Sequence, residues 1–346
     1  MKILYAIQGT GNGHLSRARE FIPALAARTS MDVLISGTNA DVKLNHPVRY
    51  RFNGLSYSFG KNGGIDYLSS WKNLLFRQFA RDVTALPVHN YDLVISDYEP
   101  VSAWASKRSG IPCVGLSHQS AFLSSKTPRA AGGSRFTELL FKYYAPCSIP
   151  VGFHYKNYDS FIHTPVIRTE VRQLKPSIGK HITVYLPAWS EEKLIPVFQR
   201  FPSFQWHIFS KHTTTNRAFQ NVVVRPVSNE SYLSSLETAW GVITGGGFEA
   251  PAEALYLGKK LMVVPMHDQY EQQCNAEALK SFDIHVVPRI GNGFYHDIQQ
   301  FLDTNNRLEI RFPHHTESVI EQVLASGDVK ATTPENKHIE PIRLAI

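Results

Sequence analysis

The chain has 346 residues, enough for about two domains, each with its own core. Hydrophobic residues make up 43% of it and charged residues 19%, the balance of an ordinary globular protein. The net charge of +7 favours anionic partners, yet no Lys/Arg run is dense enough to argue for nucleic acid. Cys113, Cys147 and Cys274 are widely spaced, so neither a disulfide framework nor a zinc motif is expected, and a reducing cytosolic compartment fits.

Lys2 to Ile7 reads as a buried strand rather than a leader peptide, because its apolar run is short and ends in Gln8 and glycines. No stretch reaches the length of a membrane-spanning helix. Gly9-Thr10-Gly11-Asn12-Gly13-His14 is the turn after that strand, and Leu15, Ala18, Phe21, Ile22 and Leu25 mark the apolar face of a helix. Gly11 and Gly13 give a ligand close access to the backbone. A nicotinamide dinucleotide site is excluded by the glycine spacing and by the second strand, Val33 to Ile35. That strand ends in Ser36-Gly37-Thr38 instead of an acid. His14 stands at the helix start, where an imidazolium is disfavoured and a neutral ring is available as a base. Capping or packing of the helix is the plainer alternative for it.

Residues 54–64, rich in Gly, Ser and aromatics, suggest a loop over a cleft. The helical spacing over 67–83 suits a core helix, or a membrane-surface helix with Lys72, Arg77 and Arg81 outward. Tyr91 to Ser96 is a strand ending at Asp97-Tyr98-Glu99-Pro100. A helix runs from Val101 to a stop at Gly110, and the strand Ile111 to Leu116 ends in Ser117-His118-Gln119. Asp97 and Glu99 therefore share the carboxyl edge of the sheet with His14, and each suits either orienting a base or capping the next helix. His118 is an acceptor-side candidate. Residues 126–144 join a basic stretch to an apolar helical run, suited to packing or to an anionic bilayer. The pattern fades from Pro150 to Lys180. The expected organisation is an N-terminal domain at 1–163, a linker at 164–180, a C-terminal domain at 181–325 and a tail at 326–346.

The pattern restarts with a strand at His181 to Leu186, a loop ending at Ser190 and a helix from Glu191. Strands follow at Gln205 to Phe209 and Val222 to Val224, then a loop at Arg225-Pro226-Val227 and a helix to Ala239. The stretch GVITGGGFEAPAEALYLGKKLMVVPMHDQYEQQCNA, from Gly241, is the most informative. It reads as a strand, the turn Gly245-Gly246-Gly247, a helix from Ala250 to Leu257 stopped by Gly258, and a strand Leu261 to Val264. A polar loop, His267-Asp268-Gln269, leads into a helix near Glu271. This βαβ unit places both loops at the carboxyl ends of parallel strands, flanking one crevice. The glycine turn, Phe248 and the helix start favour an anion. Glu253, a turn further in, suits a ribose diol, or is a solvated helix residue.

The glycine turn, Glu253, the strand closed by Pro265 and the acid-Gln pair before Asn275-Ala276 resemble the donor half of GT-B glycosyltransferases, including plant UDP-glycosyltransferases and the peptidoglycan N-acetylglucosaminyl transferase. The acid-Gln pair is Glu271-Gln272, with Asp268-Gln269 as the competing choice. The glycine loop ending in His14 is similar to the first half of the same enzymes. The resemblance implies an α/β GT-B fold of two Rossmann-like domains facing across a cleft. It further implies metal-independent transfer of a sugar from a nucleotide-diphosphate sugar, UDP-linked, to a hydroxyl of a sugar, lipid-linked or small-molecule acceptor. No cofactor beyond the donor is implied. His14 would be the base, oriented by Asp97, and Ser190, the backbone at Arg225 and Val227, and the residues of the two crevice loops would hold the donor. The implied setting is the cytoplasm, or peripheral contact with the membrane's inner face in envelope polysaccharide or glycolipid synthesis. The chain departs from the plant pattern in having Gly245 where a phosphate-binding His is usual, and Lys259-Lys260 before the strand. A nucleotide-sugar hydrolase or epimerase on the same fold, and a non-catalytic nucleotide-sugar-binding protein, are the competing readings.

Overall fold

The computed structural model describes residues 1–10, 12–37, 44–54, 76–133 and 135–327. Gly11, most of the loop expected over 54–64, the first part of the 67–83 helix and the tail from 328 lie outside the described residues; within the 67–83 segment the helix is described from Phe76, as Phe76–Ala85.

The first half forms a seven-stranded sheet of β1 (Lys2–Gln8), β2 (Ser30–Ser36), β3 (Tyr50–Phe52), β4 (Leu93–Asp97), β5 (Cys113–Ser117), β6 (Ile149–Phe153) and β7 (Ile162–His163). Their order is β3-β2-β1-β4-β5-β6-β7, with every pairing parallel. Continuous apolar runs such as Ile3 to Ile7 suit a sheet covered on both faces, where alternation would leave polar groups in the core. The helix Asn12–Ala26 covers one face with Leu15, Ala18, Phe21, Ile22 and Leu25, the positions its spacing predicts. Both β6 and β7 fall where the sequence pattern fades. Pro150 and Gly152 hide β6, and Gly152 is there for packing, since a Cβ on it would come within 2.7 Å of the Ala121 nitrogen.

The second half repeats the plan with β8 (His181–Tyr185), β9 (Gln205–Ser210), β10 (Arg217–Phe219), β11 (Val222–Pro226), β12 (Gly241–Gly245), β13 (Lys260–Val264) and β14 (His285–Val286). The order is β10-β11-β9-β8-β12-β13-β14, parallel except where the short edge strand β10 pairs with β11. The sequence does not announce β10, whose Arg217 and Ala218 are exposed. One expectation is corrected here. Arg225 and Pro226 belong to β11, opposite Phe209 and Ser210, so the loop begins only at Val227. Proline, lacking an N–H, is tolerated at Pro226 because β10 pairs only as far as Val224 and leaves β11 an edge there.

Strand order reverses between β1 and β4 in the first sheet and between β8 and β12 in the second. Ligand crevices of doubly wound sheets open at the carboxyl ends of such strands. One apolar cluster runs without a break from Phe21, Phe153 and Tyr155 to Phe248, Ala252 and Leu255, so the two halves share part of one core. The helix Thr316–Gly327 returns to the first half, with Val319, Ile320 and Val323 in that same cluster and Gly327 against Met1 and Leu93.

Candidate active site

His14 enters in the first turn of the helix after β1, and Asp97 is the last residue of β4, the strand beside β1. The switch point thus brings them together: His14 Nδ1 lies 2.7 Å from Asp97 Oδ1. Tyr98, with φ of 54°, turns the chain through the left-handed region directly after Asp97, a conformation costly for a non-glycine residue. That turn separates the two acids by role. Glu99 points inward and caps the helix Pro100–Ser109, accepting from the Val101 and Ser102 nitrogens at 2.8 and 2.7 Å. Asp97 is left to face His14. With Nδ1–H donated to a carboxylate, the His14 ring presents Nε2 as its basic atom. Its side chain retains 15% exposure while Asp97 has none.

Arg17, one turn along from His14, completes the group, although sequence inspection passed over it. Only 3% exposed, it donates Nη2 and Nε to the two oxygens of Asp97 at 2.6 and 3.2 Å. Burial pushes the Asp97 carboxyl up, but Arg17 and His14 outweigh it and hold the group below its ordinary range. The legible signal was a charge at i+3 from His14, between Leu15 and Ala18 on a face otherwise apolar. Arg17 Nη1 also reaches across the cleft to Glu249 Oε1 at 2.7 Å. Glu249 opens the helix Glu249–Tyr256 after the glycine turn. Its carboxylate fills the space above Gly13, where a Cβ would come within 2.6 Å of Oε2. The room expected for a ligand at Gly13 is therefore taken by the other half of the chain. A small cavity remains between Ser16, Arg17, Arg168, Phe248, Glu249 and Ala252.

The glycine turn is stitched from below. Gln272 Oε1 accepts from the Gly246 and Met266 nitrogens at 3.1 and 3.0 Å, and its Nε2 donates to Gln269 Oε1 at 2.6 Å. Gln272 and Gln269 therefore fix the two loops to each other, and the Gly246 amide, expected to meet a diphosphate, is spent on that contact. Gly246 itself is obligatory, because a Cβ would come within 2.7 Å of the Gln272 carbonyl oxygen. A Cβ on Gly247 would meet nothing within 4 Å, and one on Gly245 only the Gln272 Oε1 and the Val264 carbonyl at 3.6 and 3.9 Å, so these two border open space. Phe248 is not free either: its ring stacks on His118 of the first half, centroids 4.0 Å apart and planes 4° from parallel. His118 is buried by this stack, with Nε2 2.8 Å from Asn275 Oδ1 and Nδ1 2.7 Å from the Phe153 carbonyl. Glu271 faces the first half and accepts from Gln119 at 3.1 Å, whereas Asp268 stays exposed beside His267.

Glu253 departs most from expectation. It is 4% exposed, and both its oxygens are already held by Arg168, Nε to Oε1 at 2.5 Å and Nη2 to Oε2 at 2.9 Å. A buried carboxylate needs a compensating cation, and the segment between the sheets supplies one. Arg168 spends Nη1 on Asn229 Oδ1 at 2.6 Å. Ser190 stands at the N-cap position of the helix Glu191–Gln199, without a capping side-chain hydrogen bond, in the loop after β8, and Val227 stands in the loop after β11, both at the carboxyl edge of the second sheet. Lys259 has a structural use: its buried ammonium donates to the carbonyls of Ser177, Glu237 and Ala239 at 2.7, 2.6 and 3.1 Å.

Two doubly wound halves with facing ligand edges are the GT-B architecture, and solved structures match it end to end. UGT89C1 of Arabidopsis thaliana, complexed with quercetin, superposes with a TM-score of 0.59 at 11% identity, covering 96% of this chain and 95% of that one. UGT2 of Phytolacca americana, complexed with UDP-2fluoro-glucose and pterostilbene, gives 0.56 at 14% identity over 97% and 95% of the two chains. MurG of Acinetobacter baumannii gives 0.54 at 13% identity over 94% and 99%. A comparison with curated protein sequences found no match. The family model described as glycosyl transferase family 1 matches residues 1–304, and the chain belongs to that family. It is a GT-B glycosyltransferase.

Proposed function

We propose that the protein transfers a sugar from a UDP-sugar to an acceptor hydroxyl, with His14 as general base and without a metal ion. The observation that carries this reading is the His14–Asp97 pair at the first switch point, 2.7 Å apart and opposite the glycine turn. In the step envisaged, His14 Nε2 takes the acceptor's hydroxyl proton and the oxygen attacks the anomeric carbon. The bond from that carbon to the diphosphate oxygen breaks, and the nucleoside diphosphate leaves with the electron pair. Asp97 stabilises the resulting imidazolium and keeps the ring in the tautomer that bares Nε2. Charge developing on the diphosphate meets the backbone amides at the start of the helix Glu249–Tyr256, which serve in place of a metal cation. Glu253 takes the ribose through the lone pairs that Arg168 leaves unused, and Glu271 lies toward the donor sugar.

The donor class draws support from the relatives: the Phytolacca enzyme was crystallised with UDP-2fluoro-glucose, and SsfS6 of Streptomyces sp. SF2575 with thymidine diphosphate. Closure of the cleft by the Phe248–His118 stack and the Arg17–Glu249 pair favours transfer over hydrolysis, which needs water at His14. The acceptor is a sugar, a small molecule or a lipid-linked sugar, reached in the cytoplasm or at the membrane's inner face during envelope synthesis. Among the described residues no helix is long and apolar enough to cross a membrane. The helix Arg135–Tyr143 nonetheless exposes Phe136, Leu139 and Tyr143, at 54%, 50% and 45%, beside Lys142, a face suited to an anionic bilayer.

Calorimetric titration without metal, using UDP, GDP and dTDP, tests the donor assignment. Selective UDP binding that Glu253→Ala abolishes is expected, and absence of binding by all three nucleotides would overturn it. Co-flotation with anionic vesicles, lost in Leu139→Glu, tests the membrane face.

A further inference from the structure

We infer that Arg17 is a positioning residue that couples Glu249 of the donor half to His14, by dividing its guanidinium between Asp97 and Glu249. The inference rests on the reading of His14 as the base. Arg17 belongs to the first half, is 3% exposed, and touches three partners at once. It holds both oxygens of Asp97, reaches Glu249 Oε1 of the second half at 2.7 Å, and lies with Nη2 3.1 Å from His14 Nδ1. Nδ1 already donates its proton to Asp97, so the last contact is one of charge rather than a hydrogen bond.

The consequence follows from signs alone. When the guanidinium answers only to Asp97, it cancels the carboxylate and repels a proton on His14, leaving a weak base. Glu249, at the start of the donor-half helix, takes up part of that positive charge, and Asp97 acts on the imidazole more fully. Gly13 is part of the device, because any side chain there would bar the Glu249 carboxylate. Other groups facing this cluster are the Tyr5 hydroxyl from β1, buried without a hydrogen-bond partner, and Arg168, which lines the same cavity. Neither changes charge near neutral pH, so they shift the balance by a constant amount. Burial and Asp97 hold the Tyr5 hydroxyl far above neutrality, and Glu253 secures Arg168 as a cation.

The test reads the imidazole directly in the full-length protein. Carbethoxylation by diethylpyrocarbonate requires an unprotonated ring, and peptide mass spectrometry resolves His14 from the other histidines, so its reactivity can be followed from pH 5 to 9. In Arg17→Gln the midpoint is expected to rise by about one pH unit, since a neighbouring cation is lost and Asp97 is uncovered. In Glu249→Gln it is expected to fall, by a smaller amount, because Glu249 acts through Arg17. Arg17→Lys should sit nearer the wild type. If Arg17 acted only by packing, Glu249→Gln would leave the His14 midpoint in place. Unmoved midpoints, or midpoints that move the same way in both variants, would overturn the inference. Should Arg17→Gln fail to fold, Glu249→Gln and Arg17→Lys decide it. Moved midpoints in a protein that turns over no nucleotide sugar would refute the base assignment while leaving the coupling intact.

Discussion

Replacing Asp97 by asparagine is a near-isosteric change with a large expected effect. Asp97 is fully buried and receives three donations: from His14 Nδ1 at 2.7 Å and Arg17 Nη2 at 2.6 Å on Oδ1, and from Arg17 Nε at 3.2 Å on Oδ2. Asparagine keeps one acceptor oxygen. If that oxygen serves His14 and Nη2, the amide nitrogen meets Arg17 Nε donor to donor, and the buried guanidinium has lost its principal anion. Breaking a buried ion pair from one side costs about 3–5 kcal/mol, and the low end applies because Glu249 remains on Nη1. At about 2–4 °C per kcal/mol for a chain segment of this size, the melting temperature should fall by about 6–12 °C. Scanning calorimetry of the two proteins at pH 7 measures this. Asp97 is held below its ordinary value, so its stabilisation is present at neutral pH and is lost only as acid protonates it in the folded state. The wild-type advantage should therefore persist at pH 5 and shrink only below about pH 4. A variant melting within a degree of the wild type would refute the view that Asp97 anchors this cluster.

Arg168 and Glu253 should behave as a unit: each single alanine variant destabilises, and the double-mutant cycle should return a coupling of about 1–3 kcal/mol in chemical denaturation, whereas additivity would contradict the buried pairing. His207 stacks on His181 with centroids 4.0 Å apart and sits beside Arg225. Burial, then His181 and Arg225, push it down to about 3. A depressed histidine contributes stability that is complete above its unfolded value near 6.5 and is lost as pH falls from there towards 3. Thermal melts between pH 7 and 4 should fall more steeply for the wild type than for His207→Phe, and parallel slopes would count against the assignment.

Much of the fold was legible because its strands are buried on both faces and announce themselves as short apolar runs ended by polar residues, glycine or proline. Ile3 to Ile7, Leu93 to Ile95 and Leu261 to Val264 are of this kind. β6 was hidden by Pro150 and Gly152, and β10 by its exposed edge position, since neither carries the pattern that burial imposes. At the site, His14 and Asp97 could be named because one lies in the first turn of the helix after β1 and the other ends β4, strands that the strand order makes neighbours. Position at the strand end favoured Asp97 over Glu99, and the left-handed turn at Tyr98, which no local pattern encodes, is what separates the two. Arg17, Glu249 and Arg168 were missed for a common reason. Each acquires its role from a partner 80 or more residues away, and only Arg17, a charge on an otherwise apolar helix face, carries any local mark. The same distance explains Glu253, whose sequence context suggests a ribose ligand but gives no hint of Arg168.

The central claim is that His14 removes the acceptor proton in a transfer from a UDP-sugar. Its most direct test is the release of UDP from a panel of UDP-sugars, supplied with a membrane-lipid and glycan acceptor mixture, by wild-type protein and by His14→Ala. The account predicts UDP release by the wild type and a loss of about 100-fold or more in His14→Ala, with UDP still bound at comparable affinity. Turnover by His14→Ala at the wild-type rate would contradict it.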